Sequence, residues 1–267
     1  MAHSETVLTD EQQSLFTASL KQRQTGLPVA YITGSKEFYG IDFIVTPDVL
    51  IPKPDTELLV EHALAAVRSR ISGHTPQKPL HIIDVCTGSG CIALSVFHEL
   101  DRHIQDQISL VLTDISPAAL SIAQQNAAHL LQPEQIQQLC FLQGDLLDAV
   151  VQGTSKPSEI KFDIILSNPP YIPAAEVTEL LKDGRNEPRL ALDGDAGSPS
   201  NDGLAILRRL IPQAYGHLAA SGLFLVETGE YNAMQTAELM KHTGFSSVET
   251  FCDLSGQLRL TQGIRQK

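Results

Sequence analysis

The sequence lacks any long apolar run. No segment of its 267 residues approaches the ~18 consecutive apolar residues that a membrane-spanning helix needs. The first residues also lack the basic start and apolar stretch of a secretory signal. We therefore expect a soluble, cytoplasmic protein with no membrane partner.

Basic residues are scarce. The chain has 19 Lys and Arg against 31 Asp and Glu, which gives a formal net charge of −12. A chain this acidic is a poor non-specific binder of nucleic-acid phosphates, although a local basic patch remains compatible with it. We predict no stable nucleic-acid partner.

Cysteines are also few, and none of the four has the paired spacing of a metal site. Cys86 and Cys91 flank a glycine-rich turn, but no second ligand pair follows them. We predict that the protein holds no metal and that its cysteines are buried, reduced thiols.

Hydrophobic residues make up 42% of the sequence, enough for a sizeable core, and their pattern changes partway along. A Gly- and Pro-containing stretch at 72–79 is the best candidate for a linker, and alternating strands and helices follow it. We predict a short N-terminal region over 1–72, with a helix, a β-hairpin and a linking helix. A larger α/β domain is predicted over 73–267.

The N-terminal region contains one helix signal and one hairpin signal. Thr9 is positioned to cap a helix that ends before Gly26, and the aromatic and β-branched runs 29–33 and 38–45 predict the two strands of the hairpin. Asp55 or Thr56 is expected to cap the next helix. The prolines before that helix indicate either a structural hinge or a rigid lip beside an active site.

A glycine-rich turn follows the first strand of the α/β region. The strand 80–85 leads into Cys86-Thr87-Gly88-Ser89-Gly90, after which a helix begins. The turn matches neither the dinucleotide fingerprint nor the P-loop. Either it is purely structural, or its glycines let the backbone approach a ligand.

Acidic residues end the next two strands. Asp114 is the last residue of the strand 110–114, and it lies at the offset from the glycine turn where a carboxylate reaches ribose hydroxyls. It also precedes a helix capped by Ser116, so a role at the helix entry remains open. Asp145 follows the strand 139–142 and is suited either to an adenine amino group or to a turn.

The fourth strand, 162–166, ends in Ser167-Asn168-Pro169-Pro170-Tyr171. The prolines stop the strand and hold Asn168 in an extended, stiff turn at its carboxyl end. Hydrogen-bond acceptors on Asn168 and on the proline carbonyls suit a planar –NH2 group. The alternative is a turn without chemical function.

The last third of the chain begins with a long connection over 172–203, of the kind that is usually functional or mobile. A helix is predicted at 204–218, a fifth strand at 223–227, another helix at 233–242, and a closing strand pair at 247–251 and 257–260.

This order of elements resembles the class I adenosylmethionine-dependent methyltransferases. Within them the chain is similar to the release-factor glutamine methyltransferases, the PrmC (HemK) family. The resemblance is carried by short motifs within residues 28–40, 50–59, 84–90, 167–172 and 187–194, including Pro-Lys-Pro-Asp-Thr-Glu and Asn-Pro-Pro-Tyr.

The resemblance implies a Rossmann-like fold with a seven-stranded mixed sheet, and S-adenosyl-L-methionine as cofactor, which leaves as S-adenosyl-L-homocysteine. Asn168, Pro169, Pro170 and Tyr171 would form the catalytic and substrate-binding slot, with Asn168 and Pro169 accepting the two amide N–H bonds. The implied cofactor-binding residues are Cys86, Thr87, Gly88, Ser89, Gly90, Asp114, Asp145, Leu146 and Asn168.

The implied substrate is the glutamine of the Gly-Gly-Gln motif in class I peptide chain release factors, methylated on its side-chain nitrogen N5. Two other substrates remain open. Ribosomal-protein glutamine methyltransferases are close relatives of this family. Adenine-N6 methyltransferases act on DNA or RNA, where an amino group would meet the same acceptors and Tyr171 would stack on the base.

Overall fold

The computed structural model describes residues 7–72, 78–153, 161–184 and 186–266. Most of the predicted linker at 72–79 lies outside the described residues. The boundary between residues 72 and 73 therefore stays a prediction.

The first helix, α1 (Asp10–Gln24), begins at the predicted cap. Thr9 Oγ1 accepts a hydrogen bond from the Gln12 amide at 3.2 Å, and Gln12 Oε1 accepts one from the Thr9 amide at 3.0 Å. This reciprocal pair satisfies two backbone donors that the helix itself leaves free. No side chain of α1 is buried, so the helix lies on the surface.

The hairpin exists, but its predicted first strand is wrong. Val29–Thr33 forms the short helix α2, and the hairpin pairs β1 (Ser35–Phe38) with β2 (Ile41–Ile44). The β-branched composition of 29–33 favoured a strand. Tertiary contacts outweigh that preference, because α2 buries Tyr31 and directs its hydroxyl to the Val49 carbonyl at 2.6 Å.

The turn residues of the hairpin were also misplaced. Gly34, at φ 75°, ends α2, whereas the hairpin reverses at Tyr39 and Gly40, which have φ of 53° and 74°. Two consecutive positive φ angles are what a two-residue hairpin turn of type I′ requires.

The predicted capping of the next helix by Asp55 or Thr56 is wrong as well. Both residues lie inside a 3-10 turn, Pro54–Thr56, which leads into α3 (Glu57–Ser72) and has no side-chain cap. Their side chains are directed elsewhere: Asp55 lies 3.4 Å from Arg259, and Thr56 is buried beside the predicted active site.

The predicted seven-stranded mixed sheet is confirmed. Its order is β5-β4-β3-β6-β7-β9-β8, with the first five strands parallel and β9 antiparallel to both of its neighbours. The strands are β3 (Leu80–Val85), β4 (Ile108–Asp114), β5 (Leu139–Gln143), β6 (Phe162–Ser167), β7 (Leu218–Glu227), β8 (Phe245–Cys252) and β9 (Leu258–Arg265).

Helices cover both faces of the sheet. Neighbouring strand residues such as Ile82 and Ile83 belong to different hydrophobic clusters, one containing α3 and α4 side chains and the other α10. Central parallel strands are apolar on both faces for this reason. The remaining helices are α4 (Cys91–His98), α5 (Arg102–Gln105), α6 (Pro117–Leu130), α7 (Pro133–Ile136), α8 (Asp148–Gly153), α9 (Ala174–Leu180), α10 (Ala205–His217) and α11 (Ala233–Thr243).

A buried asparagine on α6 joins the N-terminal hairpin to the glycine-rich turn. Asn126 accepts from the Ile44 amide at 2.7 Å and donates to the Ile44 and Ser89 carbonyls at 3.0 and 2.9 Å. All the polar atoms of this side chain are used. The hairpin is thereby held beside the predicted cofactor site.

The long connection at 172–203 is folded against the sheet edge. It contains α9, 3-10 turns at Leu181–Asp183 and Arg189–Ala191, and a bridge between Ile172 and Asp193. Asp195, only 1% exposed, accepts hydrogen bonds from the Ala174 and Gly203 amides, each at 2.9 Å. One carboxylate therefore ties the start of the connection to its end.

All four cysteines are free, and only part of the burial prediction holds. Cys91 is buried and Cys86 partly so, whereas Cys140 and Cys252 are exposed. The expectation of buried thiols is thus wrong for the last two. Within the described ranges, no helix has the length and apolar character to cross a membrane.

Candidate active site

A cleft opens at the carboxyl ends of β3, β4 and β6, where ligands bind in open α/β sheets. It has two adjoining cavities of about 230 and 470 Å³. The first cavity is bounded by the glycine-rich turn and by residues 47–53 of the N-terminal region, and the second by Asp145, Leu146 and Arg209. Cys86, Asp114 and Pro170 line both cavities.

The glycine-rich turn leaves an open space on its cleft side. Gly88 has φ of 55°, and a Cβ placed there would meet no atom within 4 Å, so its backbone faces the cavity directly. Cys86 also has a positive φ, 61°, a conformation that favours glycine. Gly90 does not line the cavities; at φ 81° it begins α4, and a Cβ there would touch Leu94.

Asp84, at the end of β3, was missed by the sequence analysis. It is fully buried beneath the turn, and its Oδ2 accepts a hydrogen bond from Thr87 Oγ1 at 2.7 Å. Its Oδ1 has no partner among the described residues. Burial raises the pKa of Asp84 to about 7, and the Thr87 hydroxyl opposes that rise.

Asp114 connects the turn to the following helix. Its Oδ2 accepts from the Gly88 amide and its Oδ1 from the Ser116 amide, both at 2.9 Å. Burial raises its pKa, although these backbone donors act in the opposite direction. Each carboxylate oxygen can accept more than one hydrogen bond. Asp114 therefore supports the helix entry and still has acceptor capacity for a ligand.

Asp145 and Leu146 lie in the second cavity, apart from the glycine-rich turn. Leu146 is buried, and Asp145 is half-exposed and pairs with Arg209, with 2.5 Å between Oδ2 and Nη2. Both residues of this ion pair line the second cavity. Of the two interpretations left open for Asp145, this placement favours ligand binding, and its adenine contact stays a prediction.

Asn168 lies at the inner end of the first cavity. Its Nδ2 donates to Thr56 Oγ1 at 3.2 Å, while its Oδ1 receives no hydrogen bond from the described residues. The acceptor half of the amide is therefore available at the cavity. The preceding residue, Ser167, donates to the Val85 carbonyl at 2.7 Å and holds the end of β6 against β3.

The three residues after Asn168 are placed differently from one another. Pro170 lines both cavities, whereas Pro169 is buried and Tyr171 is partly buried. The Tyr171 hydroxyl donates to Glu227 Oε1 at 3.2 Å, and its ring packs against the apolar cluster that contains α10. Burial, followed by the Glu227 charge, raises the Tyr171 pKa well above its usual value.

The end of the long connection at 172–203 fixes the backbone of Tyr171. A Cβ on Gly203, which has φ of 71°, would lie 2.2 Å from the Tyr171 carbonyl oxygen, so only glycine fits there. On the other side, Asn232 Nδ2 donates to the same carbonyl at 3.0 Å. The Asn-Pro-Pro-Tyr turn is therefore held from both directions.

Sequence reasoning also missed an ion pair between the two walls of the first cavity. Lys53 Nζ lies 2.6 Å from Oε1 of Glu187, which is buried. These residues are separated by 134 positions, and no local pattern indicates such a contact. Glu227 could have been found, because it ends a parallel strand at the ligand-binding edge of the sheet.

The site fits the cofactor that the resemblance implies. The open face of Gly88 gives a backbone cradle, and Asp114, which lines both cavities, keeps free acceptor capacity. A cationic ligand with hydroxyl groups suits this set of acceptors.

Comparison with known proteins agrees with the motifs. The Methyltransferase small domain family matches residues 56–186, and the PrmC N-terminal domain family matches residues 1–34. A methyltransferase structure from Pyrococcus furiosus has a TM-score of 0.54 at 15% identity, covering 97% of this chain and 100% of that one. The fold is that of a class I, Rossmann-like methyltransferase.

Curated relatives extend the match over nearly the whole chain. The release factor glutamine methyltransferase of Moorella thermoacetica is 38% identical, over 100% of this chain and 85% of its own length. The Escherichia coli protein of the same name is 34% identical, over 98% of this chain and 84% of its own. With identity of this extent, the chain belongs to the family of release factor glutamine methyltransferases.

Proposed function

We propose that the chain transfers a methyl group from S-adenosyl-L-methionine to the side-chain nitrogen N5 of a glutamine in class I peptide chain release factors. The glutamine is that of the Gly-Gly-Gln motif, and the reaction takes place in the cytoplasm. The observation that carries the proposal is Asn168, which presents a free carbonyl acceptor at the first cavity.

The chemical task is to position a poor nucleophile. The lone pair of a carboxamide nitrogen is delocalised into its carbonyl group, so the nitrogen must be held close to its target and in line with it. Asn168 Oδ1 accepts one N–H of the substrate amide, and the Pro169 carbonyl accepts the other. Two fixed acceptors set the plane of the amide and favour positive charge on its nitrogen.

Some of the surrounding residues would bind the cofactor and others the substrate glutamine. When bound, S-adenosyl-L-methionine supplies a methyl carbon attached to a positively charged sulfur. Residues 86–89 of the glycine-rich turn hold its methionine portion, Asp114 its ribose, and Asp145 with Leu146 its adenine. Pro170 and Leu190 line both cavities and therefore border the space proposed for the cofactor.

The position of Tyr171 favours a glutamine over a nucleobase. Stacking on adenine needs an aromatic face that is open to the cleft. The Tyr171 ring packs against the apolar cluster that contains α10, and its hydroxyl is bound to Glu227. A small carboxamide needs no such face.

The test offers a class I release factor, a ribosomal-protein preparation and DNA separately, with radiolabelled S-adenosyl-L-methionine. We expect label in the release factor, on the glutamine of its Gly-Gly-Gln peptide by mass spectrometry, and none in a release factor with that glutamine changed to alanine. Label only in ribosomal protein or only in DNA would overturn the proposal and identify the alternative substrate.

A further inference from the structure

The lining of the first cavity contains charged side chains of both signs, but a single basic one. Its charged residues are Asp48, Lys53 and Asp114, so Lys53 supplies the one positive side chain among the described residues that bound this cavity. Like charges repel and opposite charges attract across such short spans. Among these side chains, an anionic group of a ligand would be attracted only by the Lys53 ammonium group.

The ammonium group of Lys53 is held in place and still has donors to offer. Its Nζ lies 2.6 Å from Glu187 Oε1, and the Glu187 side chain is only 7% exposed. Glu187 is the one hydrogen-bond partner of Lys53 in the part of the chain that the structure describes. An ammonium group carries three N–H donors, which leaves the other two for a ligand. The Lys53 side chain is 41% exposed, so these donors are accessible.

The two cavity walls that this ion pair joins are also held by other contacts. In the first wall, the Tyr31 hydroxyl donates to the Val49 carbonyl at 2.6 Å, and Val49 is buried. In the second, Arg189 Nη1 donates to Thr178 Oγ1 at 3.1 Å. Each wall thus has an anchor that is independent of Lys53, and we expect the cavity to persist when the lysine is replaced.

Building on the proposed function, we infer that Lys53 binds the carboxylate of the cofactor's methionine portion and that Glu187 positions the ammonium group for this contact. The proposed function places the methionine portion on residues 86–89, which line the same cavity as Lys53. S-adenosyl-L-homocysteine carries the same carboxylate as S-adenosyl-L-methionine. Lys53 is therefore a further cofactor-binding residue for the substrate and product forms alike.

The charges in the cavity explain why this contact matters for affinity. Without Lys53, the cofactor carboxylate would enter a cavity whose remaining charged side chains, Asp48 and Asp114, are both acidic. With Lys53 it gains a charge-assisted hydrogen bond, which is stronger than one between neutral groups. A ligand without the carboxylate neither gains this bond nor suffers the repulsion, so the effect of Lys53 should depend on the ligand.

The experiment measures binding of two ligands by calorimetry, without release factor. They are S-adenosyl-L-homocysteine and its decarboxylated form, which keeps the amine, the thioether and the adenosine. Lys53→Met removes the charge at similar length. We expect it to weaken S-adenosyl-L-homocysteine binding about 10- to 100-fold, the range for hydrogen bonds to a charged group. It should not weaken binding of the decarboxylated ligand.

Three further variants serve as comparisons. Lys53→Arg keeps the cation and should retain most of the affinity for S-adenosyl-L-homocysteine. Lys53→Gln, a neutral side chain that can still donate to Glu187, should behave as Lys53→Met does and replaces it if that variant does not fold. Lys182→Met is the matched control, because Lys182 pairs with Glu179 at the same 2.6 Å but lines neither cavity. It should leave the affinity for both ligands unchanged.

Equal losses for the two ligands in Lys53→Met and Lys53→Gln would show that Lys53 only joins the cavity walls, and would overturn the inference. Unchanged affinity for S-adenosyl-L-homocysteine in these variants would overturn it as well. If the wild-type protein binds the ligands with the expected dependence on Lys53 but does not methylate release factor, the proposed function fails while this inference stands.

Discussion

Asn168 is the residue on which the proposed chemistry depends most directly. Asn168→Ala removes one of the two acceptors for the substrate amide, and methyl transfer should fall by about 10²–10³, as when one preorganised partner of a reacting group is lost. Binding of S-adenosyl-L-methionine should persist, because all of its predicted contacts except the one with Asn168 lie on the first three strand ends. Single-turnover kinetics and calorimetry measure the two effects separately.

The matched control for this substitution is Gln125→Ala, which removes a carboxamide from the exposed side of α6 and should be silent. Asn168→Asp gives a sharper comparison. It keeps an acceptor but adds a negative charge that must be desolvated beside the substrate, which is costly. Partial activity is expected. Wild-type activity in Asn168→Ala would leave Asn168 as a turn residue only.

Asp114 is predicted to contribute to affinity rather than to chemistry. Asp114→Ala should weaken S-adenosyl-L-methionine binding by at most a few kcal/mol, the range for hydrogen bonds to a charged group. It should also loosen the turn slightly, since the Gly88 and Ser116 amides lose their acceptor. Asp114→Asn keeps much of that local geometry, so calorimetry on both variants isolates the ribose contact. Unchanged affinity in both would remove Asp114 from the cofactor site.

At the scale of secondary-structure elements, the sequence was most informative where an element's conformation is determined by its own residues. Strand β3, the glycine turn and the Ser116 cap were all predictable from local patterns. The segment 29–33 was not, because the buried Tyr31 hydroxyl and its bond to Val49 decide between strand and helix. Composition alone favoured the strand.

The same distinction holds within the site. Asn168 and Asp114 end apolar strands and were predictable as candidates. The hydrogen-bond partner of Asn168 was not predictable. The local sequence around Thr56 indicates a helix cap, and its contact with Asn168 arises only because β6 ends beside it. The Lys53–Glu187 pair likewise depends on two segments meeting across the cleft. Contacts between distant segments leave no periodic trace in a single sequence.

Helix α1 is the element with the clearest separable role. Its apolar side chains Leu15, Phe16 and Leu20 are 68%, 56% and 46% exposed. Deleting residues 1–24 should therefore spare S-adenosyl-L-methionine binding and mainly raise the KM for release factor. A Leu15→Ser, Phe16→Ser double variant should act in the same direction, and Gln13→Ser serves as its control. Loss of cofactor binding on truncation would show that the predicted boundary at residue 72 is wrong.

At the scale of the whole molecule, two buried carboxyl groups make stability depend on pH. Asp84 and Glu227 both have pKa values raised to about 7 by burial. Such groups favour the folded state fully below their unfolded pKa, and that contribution is lost as the pH rises through about 7. His62 and His217, whose pKa values burial lowers, have the opposite dependence. The pH dependence of the free energy of unfolding of the wild-type protein therefore contains both contributions.

The difference between two proteins isolates the carboxyl contribution. Glu227→Gln cannot ionise, so its free energy of unfolding relative to wild type should rise between pH 5 and pH 8, by on the order of 3 kcal/mol. Urea unfolding at each pH measures this difference. Glu238→Gln, which alters an exposed carboxylate on α11, should give a nearly flat difference curve over the same range. A flat curve for Glu227→Gln as well would mean that Glu227 stays ionised throughout.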